Sequence, residues 1–271
     1  MNEALVSCLM VTRDRPDLVA RSVACFSRQQ HAARELVIVD DGDVDLLPVL
    51  RPFLRQGERI RYHRLPARPG VLLGDLRNEA IDRARGEWCL QWDDDEWYHA
   101  DRIGAQWRAR QQAGRAAVAV VLRWTLMVVD SPRHGFLAYR ADAGFATPGT
   151  VLHRRDAARY PSLARGEDSA FLRDLRRAGR VAVLGREASH LFVRVFHGAN
   201  TWDEEHFLRR LHRRPVDWPS YAAARWWHRD LTRHRAFRLD DRECAAVDAL
   251  RARPAQPYAP IEADATVRSA P

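Results

Sequence analysis

Glu87-Trp88-Cys89-Leu90-Gln91-Trp92-Asp93-Asp94-Asp95-Glu96 (residues 87–96) runs a short apolar stretch straight into four successive carboxylates. A run of that length, rich in large side chains, reads as a buried strand, and the acidic residues mark its end. The pattern recurs upstream. Leu5 to Val11 leads into Thr12-Arg13-Asp14-Arg15-Pro16, Glu35 to Val39 leads into Asp40-Asp41-Gly42, and Arg59 to Leu65 reads as a third strand. Between these strands lie helical patterns. Asp17 to Gln30 places Leu18, Val19, Val23 and Phe26 on one face, and Asp75 to Arg85 does so with Leu76, Ala80, Ile81 and Ala84. Strands alternating with helices predict βαβ units and a largely parallel sheet flanked by helices. In such sheets ligands bind beyond the carboxyl ends of the strands. Topology alone therefore predicts that Thr12-Arg13-Asp14, Asp40-Asp41 and Asp93-Asp94-Asp95 meet in one crevice.

Adjacent carboxylates repel, at roughly a few tenths of a kcal/mol per exposed pair. A hard cation removes that cost. In an extended segment residues two apart project to the same side, so Asp93 and Asp95 are placed to share Mg²⁺ or Mn²⁺, ions that keep positions open for substrate phosphates. An acidic turn in water would show the same letters. The apolar strand before it and the flanking Trp92 and Trp97 favour a site.

The rest of the chain fits one α/β domain with additions. Its 271 residues are 46% hydrophobic and 30% charged, which is globular rather than disordered. All 44 cationic residues are Arg, with no Lys, and the net charge is +8. Exclusive use of Arg is what GC-rich coding would produce, so the charge does not by itself point to nucleic acid, and none is expected as a partner. Arg also suits anionic donors, anionic acceptors or acidic membrane surfaces. Cys8, Cys25, Cys89 and Cys244 form no CxxC pair, which fits a reducing compartment. The start Met1-Asn2-Glu3-Ala4 lacks a signal-peptide pattern, and the apolar run Ala116 to Leu122 is too short to span a bilayer. A cytoplasmic protein is expected, with peripheral attachment to the inner membrane face left open and the oligomeric state unread.

The second half is less regular. Ala116 to Trp124, Leu126 to Val129, Pro148 to His153, Arg180 to Leu184 and Leu191 to Phe196 read as strands, and Asp168 to Ala178 as a helix. The domain expected over 1–202 gives way to a helical Arg/Trp-rich extension over 203–253. A loose tail with Pro254, Pro257 and Pro260 is expected over 254–271.

Taken together, Val6 to Pro16, Glu35 to Gly42, Leu76-Arg77-Asn78-Glu79-Ala80, Ala84 to Trp88, Gln91 to Asp95 and Gly166-Glu167-Asp168 resemble, in order and spacing, family 2 of the GT-A glycosyltransferases. The resemblance covers roughly residues 5 to 200. It implies a GT-A, Rossmann-like sheet and transfer of a sugar from a nucleotide-diphosphate donor, UDP by default, to a sugar or glycolipid hydroxyl. It implies a DxD metal motif at Asp93 and Asp95. Thr12, Asp41, Asn78 and Asp94 then line the nucleoside pocket, with Arg13 and Arg77 reaching phosphates. Asp168 becomes the general base, His197 a third metal ligand and Arg194 a partner of the leaving diphosphate. Glu167, Trp97 and Thr150 are carried over as substrate contacts, and Trp202 as a second stacking ring. Two residues depart from the family pattern, Asp43 after Asp41-Gly42 and Glu96 at the end of the acidic run. Neither a QxxRW motif of processive synthases nor a membrane helix is visible in the sequence, which predicts addition of one sugar at a time; direct displacement at the anomeric carbon, with inversion, is the expected mechanism.

Two other classes remain. Nucleotidyl or phosphoryl transfer also uses aspartate-held metal, but the chain has no GxxxxGK[ST] loop and no Lys at all. An Arg-rich nucleic-acid module would use the segment Arg209 to Arg238. At Asp168 a second role competes with catalysis, since Asp at a helix start caps free N–H groups.

Overall fold

The computed structural model describes residues 4–66, 69–198, 200 and 203–252. The alternating first half forms β1 (Val6–Thr12), α1 (Pro16–Ser27), β2 (Arg34–Asp40), α2 (Leu47–Arg55), β3 (Ile60–Arg64), α3 (Leu73–Arg83) and β4 (Trp88–Gln91). Next come β5 (Trp97–Tyr98), α4 (Arg102–Ala113), β6 (Ala117–Leu122), β7 (Trp124–Ser131), β8 (Gly135–Asp142) and β9 (Leu152–Arg154). Then follow α5 (Glu167–Ala178), β10 (Arg180–Leu184) and β11 (Phe192–Phe196), and last the short α6 (Glu204–Leu208), α7 (Trp218–Ala222) and α8 (Asp241–Arg251).

A seven-stranded sheet has the order β10-β6-β9-β4-β1-β2-β3. Only β9 runs antiparallel, to both β4 and β6. Strands buried on both faces read as continuous apolar runs, and β1, β2, β4 and β6 do: Cys8, Leu36, Val37, Ile38, Leu90 and Ala119 to Leu122 are all sealed from solvent. One core layer packs α1, α2 and α4 against the sheet through Val19, Phe26, Leu50 and Ile103. The other packs α3 and α5 through Leu76, Ile81, Phe171 and Leu175.

Register aligns the strand ends. Thr12 pairs with Asp40 across β1 and β2, Leu9 pairs with Gln91 across β1 and β4, and the Trp92 amide continues the ladder to the Leu9 carbonyl. Residues 12–14, 40–42 and 92–95 therefore emerge side by side.

A second sheet, β5-β11-β7-β8, stands beside the first. It carries the loop after Asp95 at one end, because β5 pairs with β11. Residues 203–252 cover its other face: Phe207, Leu208 and Leu211 bury against Met127, Val129 and Tyr139. The chain then returns, and α8 inserts Ala246, Val247 and Leu250 into the main core. Buried Glu243 fixes it there, accepting from Arg140 and Ser189. Among the described residues no helix is long and apolar enough to cross a membrane. Trp202 and the tail expected over 254–271 lie outside the described residues.

Candidate active site

The crevice begins with a close approach of two loops. Asp14 takes a left-handed backbone, φ 53°, and its Oδ1 accepts from the amides of Asp43 and Val44 at 2.7 and 2.9 Å. Gly42 is required there, since a Cβ on it would lie 2.6 Å from Asp14 Oδ1. Beside this clasp, Thr12 donates its hydroxyl to Asp94 Oδ2 at 2.6 Å, and Arg13 holds Asp41 with a forked guanidinium. The nucleotide-side expectations Thr12, Arg13, Asp41 and Asp94 thus lie in one contiguous group.

The three aspartates diverge. Gln91 Nε2 donates to Asp93 Oδ1 at 2.6 Å, and Arg77 Nη2 lies 3.7 Å from the same oxygen. Asp94 turns back to Thr12 and to Arg15 Nη1 at 3.5 Å. Asp95 faces Arg15 at 3.7 Å and His197 Nε2 at 3.7 Å. The Asp93 carbonyl is tied down by Ser22 and Tyr98 hydroxyls at 3.0 and 2.9 Å, which fixes the segment. Beneath it, fully buried Arg102 lies over the Tyr98 and Phe192 rings and donates to the Gln91 and Gly149 carbonyls.

Burial pushes the Asp93 carboxyl up. Burial and then the neighbouring Asp95 push Asp94 up to about 6. Asp95 is also raised by burial, but His197 and Arg15 outweigh that and leave it below its ordinary value. Glu96 is sealed in, accepts from the Val195 amide at 2.8 Å and faces Arg194 Nε at 3.3 Å. Burial and Asp95 push it up to about 8. Arg194 is thereby tethered beside the acidic segment.

One buried guanidinium joins the two acidic motifs. Arg77 on α3 is 7% exposed. It reaches Asp93 as above, Glu167 Oε1 from Nη1 at 3.1 Å, and Asp168 in a short ion pair, with its plane over the Tyr160 ring. The residues at 93–95 and 167–168, more than seventy positions apart in sequence, are separated by the width of one cation. Asp168 does not cap its helix. Gly166 occupies the N-cap in the left-handed region, φ 80°, and no side chain caps α5. The carboxyl points to Arg77 instead, and burial pushes it up to about 6 against the pull of that cation.

Other expected residues serve packing. Asn78 clamps the Tyr160 backbone from both sides, donating to its carbonyl at 2.8 Å and accepting from its amide at 2.9 Å. Thr150 is sealed; its hydroxyl donates to the Thr147 carbonyl and accepts from the Leu122 amide. Trp97 is buried in the second sheet beside Val193. The polar groups of Asn78 and Thr150 are thus engaged by backbone. Sequence reasoning gave no role to Arg15, Gln91, Arg102 and Tyr98, which set the acidic segment. Arg15 alone carried a signal, lying in the loop after β1.

Among the described residues no three His, Cys, Asp or Glu side chains converge on one point as a ready-made metal cage. One feature fits an ion nonetheless: His197 Nε2 is buried with no hydrogen-bond partner, and Asp95 is its neighbour. Mg²⁺ and Mn²⁺ sites commonly take one or two protein ligands and complete the shell with phosphates and water.

Residues 7–158 match the family model described as "Glycosyl transferase family 2". The chain belongs to that family. It is a glycosyltransferase, and solved structures share its fold. S. aureus TarS 1–349 in complex with UDP-GlcNAc superposes with a TM-score of 0.57 at 16% identity, covering 90% of this chain and 80% of that one. The mannosyltransferase PcManGT from Pyrobaculum calidifontis, in complex with GDP-Man and Mn²⁺, gives 0.55 at 17% identity, covering 94% and 77%. Against the longer TarS chain the match spans only 44% of that protein.

Proposed function

We propose that this family 2 enzyme moves one sugar from a nucleotide-diphosphate donor to a hydroxyl of a sugar or glycolipid acceptor, with inversion and with Mn²⁺ or Mg²⁺. The observation that carries the reading is Arg77, which holds Asp93 and Asp168 on one cation and so joins a diphosphate-side carboxylate to an acceptor-side one. Nucleotide-sugar complexes of the structural neighbours, one with UDP-GlcNAc and one with GDP-Man and Mn²⁺, support the donor class.

In this reading Thr12, Arg13, Asp41 and Asp94 receive the nucleoside. Asp93, Asp95 and His197 would hold the ion. A divalent ion there would supply positive charge for the departing diphosphate, and Arg15 and Arg194 add theirs. Asp168 removes the acceptor's proton as its oxygen attacks the anomeric carbon. A carboxylate poised near 6 is ionised at neutral pH, yet more basic than a free one. One base and one leaving group on opposite sides of the sugar give direct displacement, hence inversion. Arg77 positions that base. Its charge keeps Asp168 ionised despite burial, and its stack on Tyr160 keeps it from moving.

The test is a thermal-stability screen of UDP, GDP, dTDP and CDP sugars with and without Mn²⁺, followed by product analysis. One donor should raise the melting temperature in a Mn²⁺-dependent way. Turnover should release the nucleoside diphosphate and yield a product of inverted anomeric configuration. Release of pyrophosphate or a nucleoside monophosphate instead would move the enzyme to nucleotidyl or phosphoryl transfer.

A further inference from the structure

A second cation-rich site lies at the β8 edge of the second sheet, roofed by residues 210–238. It is a cavity of about 450 Å³ whose wall carries Arg140, Arg186, Arg210, Arg214, Arg235 and Arg238 against only Asp142 and Asp217. The pairing inside it is incomplete. Arg140 is answered by buried Glu243, Arg214 by Asp142 and Arg235 by Asp217. Asp142 is already shared with Arg123, which holds it through a two-pronged contact at 2.8 Å. Arg186, Arg210 and Arg238 have no carboxylate partner among the described residues, although all three face the same space.

Arg210 is half-buried, and desolvation, then Arg194 and Arg213, pull its guanidinium down to about 10. A lowered arginine means a charge held where neither water nor a carboxylate stabilises it. His234, 1% exposed, also lines the wall; its Nδ1 accepts from the Ala236 amide, which leaves the proton on Nε2. That Nε2 is itself buried and turned to the Asp217 carbonyl. Several guanidinium forks lining one cavity match the tetrahedral oxygens of phosphate better than a single planar carboxylate. The donor's diphosphate is accounted for elsewhere, at Arg15, Arg194 and the acidic segment.

We propose that this cavity is a second anion site, separate from the donor site, which takes a phosphate-bearing group, with Arg186, Arg210 and Arg238 as its principal ligands. Phosphate accepts from the three guanidinium groups that no carboxylate among the described residues engages. The assignment does not depend on the glycosyltransferase mechanism, so the two stand or fall separately.

The test is calorimetric titration of the full chain with tripolyphosphate and, in a second arm, with inorganic phosphate, at about 0.15 M salt so that diffuse screening is constant. Each titration is run with and without saturating UDP and Mn²⁺. The expected result is saturable binding that survives UDP and survives Asp95→Ala. It should weaken about tenfold in Arg186→Gln and again in Arg210→Gln, as charge-assisted contacts are lost. Arg186 is exposed and unpartnered, so its variant reports binding without a folding defect. Binding of inorganic phosphate alone assigns the site to the free ion, and preference for tripolyphosphate assigns it to a larger phosphate ester. Binding that UDP abolishes, or that Arg186→Gln and Arg210→Gln leave unchanged, overturns the proposal.

Discussion

Replacing Arg77 by Met removes one guanidinium from between three carboxylates while keeping most of its apolar stem. The side chains of Arg77 and Glu167 are 8% and 11% exposed, and those of Asp93 and Asp168 are 26% and 32% exposed. Breaking a buried ion pair by deleting one partner costs about 3–5 kcal/mol. Here two of the three carboxylates keep partial access to water, so about 2–4 kcal/mol is expected at pH 7.5. For a chain of this size each kcal/mol moves the melting temperature by about 2–4 °C, which predicts a fall of roughly 5–15 °C, smaller at pH 5, below the value of about 6 at Asp168. Catalysis should respond separately. Arg77 is what holds Asp168 down against desolvation, and with it gone the base titrates above the present value of about 6. The base acts when deprotonated, so the acid limb of the kcat/KM profile must shift to higher pH. Scanning calorimetry at pH 5 and 7.5, with a pH–rate profile on the same variant, reads both effects. A variant that melts within a degree of the parent and keeps the same acid limb would refute the bridging role of Arg77.

Three further outcomes follow from the same geometry. Asp94, 5% exposed, titrates near 6 rather than 3.8. A raised carboxyl favours the folded state below the unfolded pKa, and that advantage disappears as pH rises through 6. Asp94→Asn should therefore stabilise the ligand-free enzyme by about 1–3 kcal/mol at pH 8, with little gain at pH 4, while weakening donor binding; equal effects at both pH values in denaturant melts would contradict it. Glu243→Ala leaves buried Arg140 without its carboxylate and also loses the acceptor for Ser189. It should cost about 3–5 kcal/mol and raise hydrogen exchange in α8 first, whereas uniform loss of protection would deny α8 its separate anchorage. Gly149→Ala sets a Cβ 3.1 Å from Asp93 Oδ2, so donor affinity should fall with the melting temperature nearly unchanged; an unaltered affinity would show that Asp93 can move aside freely.

The sheet was legible in the sequence because β1, β2 and β4 are largely apolar runs that end in polar clusters. The same rule placed their ends together, and the register of Thr12 with Asp40 and of Leu9 with Gln91 does so. Boundaries moved by one to three residues, as with α1, expected to reach Gln30 and ending at Ser27. Four elements escaped notice. Helix α2 carries Pro48 and Pro52, which argue locally against helix, and α4 hides its apolar stripe behind buried Arg102 and Gln106. Strand β5 is two residues long, and β8 mixes apolar side chains with Arg140 and Asp142, which are held in ion pairs. The expected strand over Pro148 to His153 divides into a 3-10 turn, Pro148–Thr150, and β9, since Pro148 has no amide for the ladder.

At the site, sequence reading found the carboxylates but not what restrains them. Motif spacing says nothing about partners distant in the chain, and Gln91, Tyr98, Arg102 and Arg77 acquire their positions only through β4, β5, α4 and α3 packing together. Asn78 shows the converse. Its place beside Arg77 suggests a ligand contact, yet both polar ends of its amide hold the Tyr160 backbone.

Asp95 and Asp168 are proposed to do separate work in one crevice, which a paired measurement decides: donor affinity with and without Mn²⁺, and single-turnover rate, for Asp95→Ala and Asp168→Asn side by side. Asp168→Asn should bind donor as the parent does and turn over slower by about 10²–10⁴-fold, while Asp95→Ala should lose the Mn²⁺-dependent part of donor binding. An active Asp168→Asn, or an Asp95→Ala whose donor affinity still rises with Mn²⁺, contradicts the account.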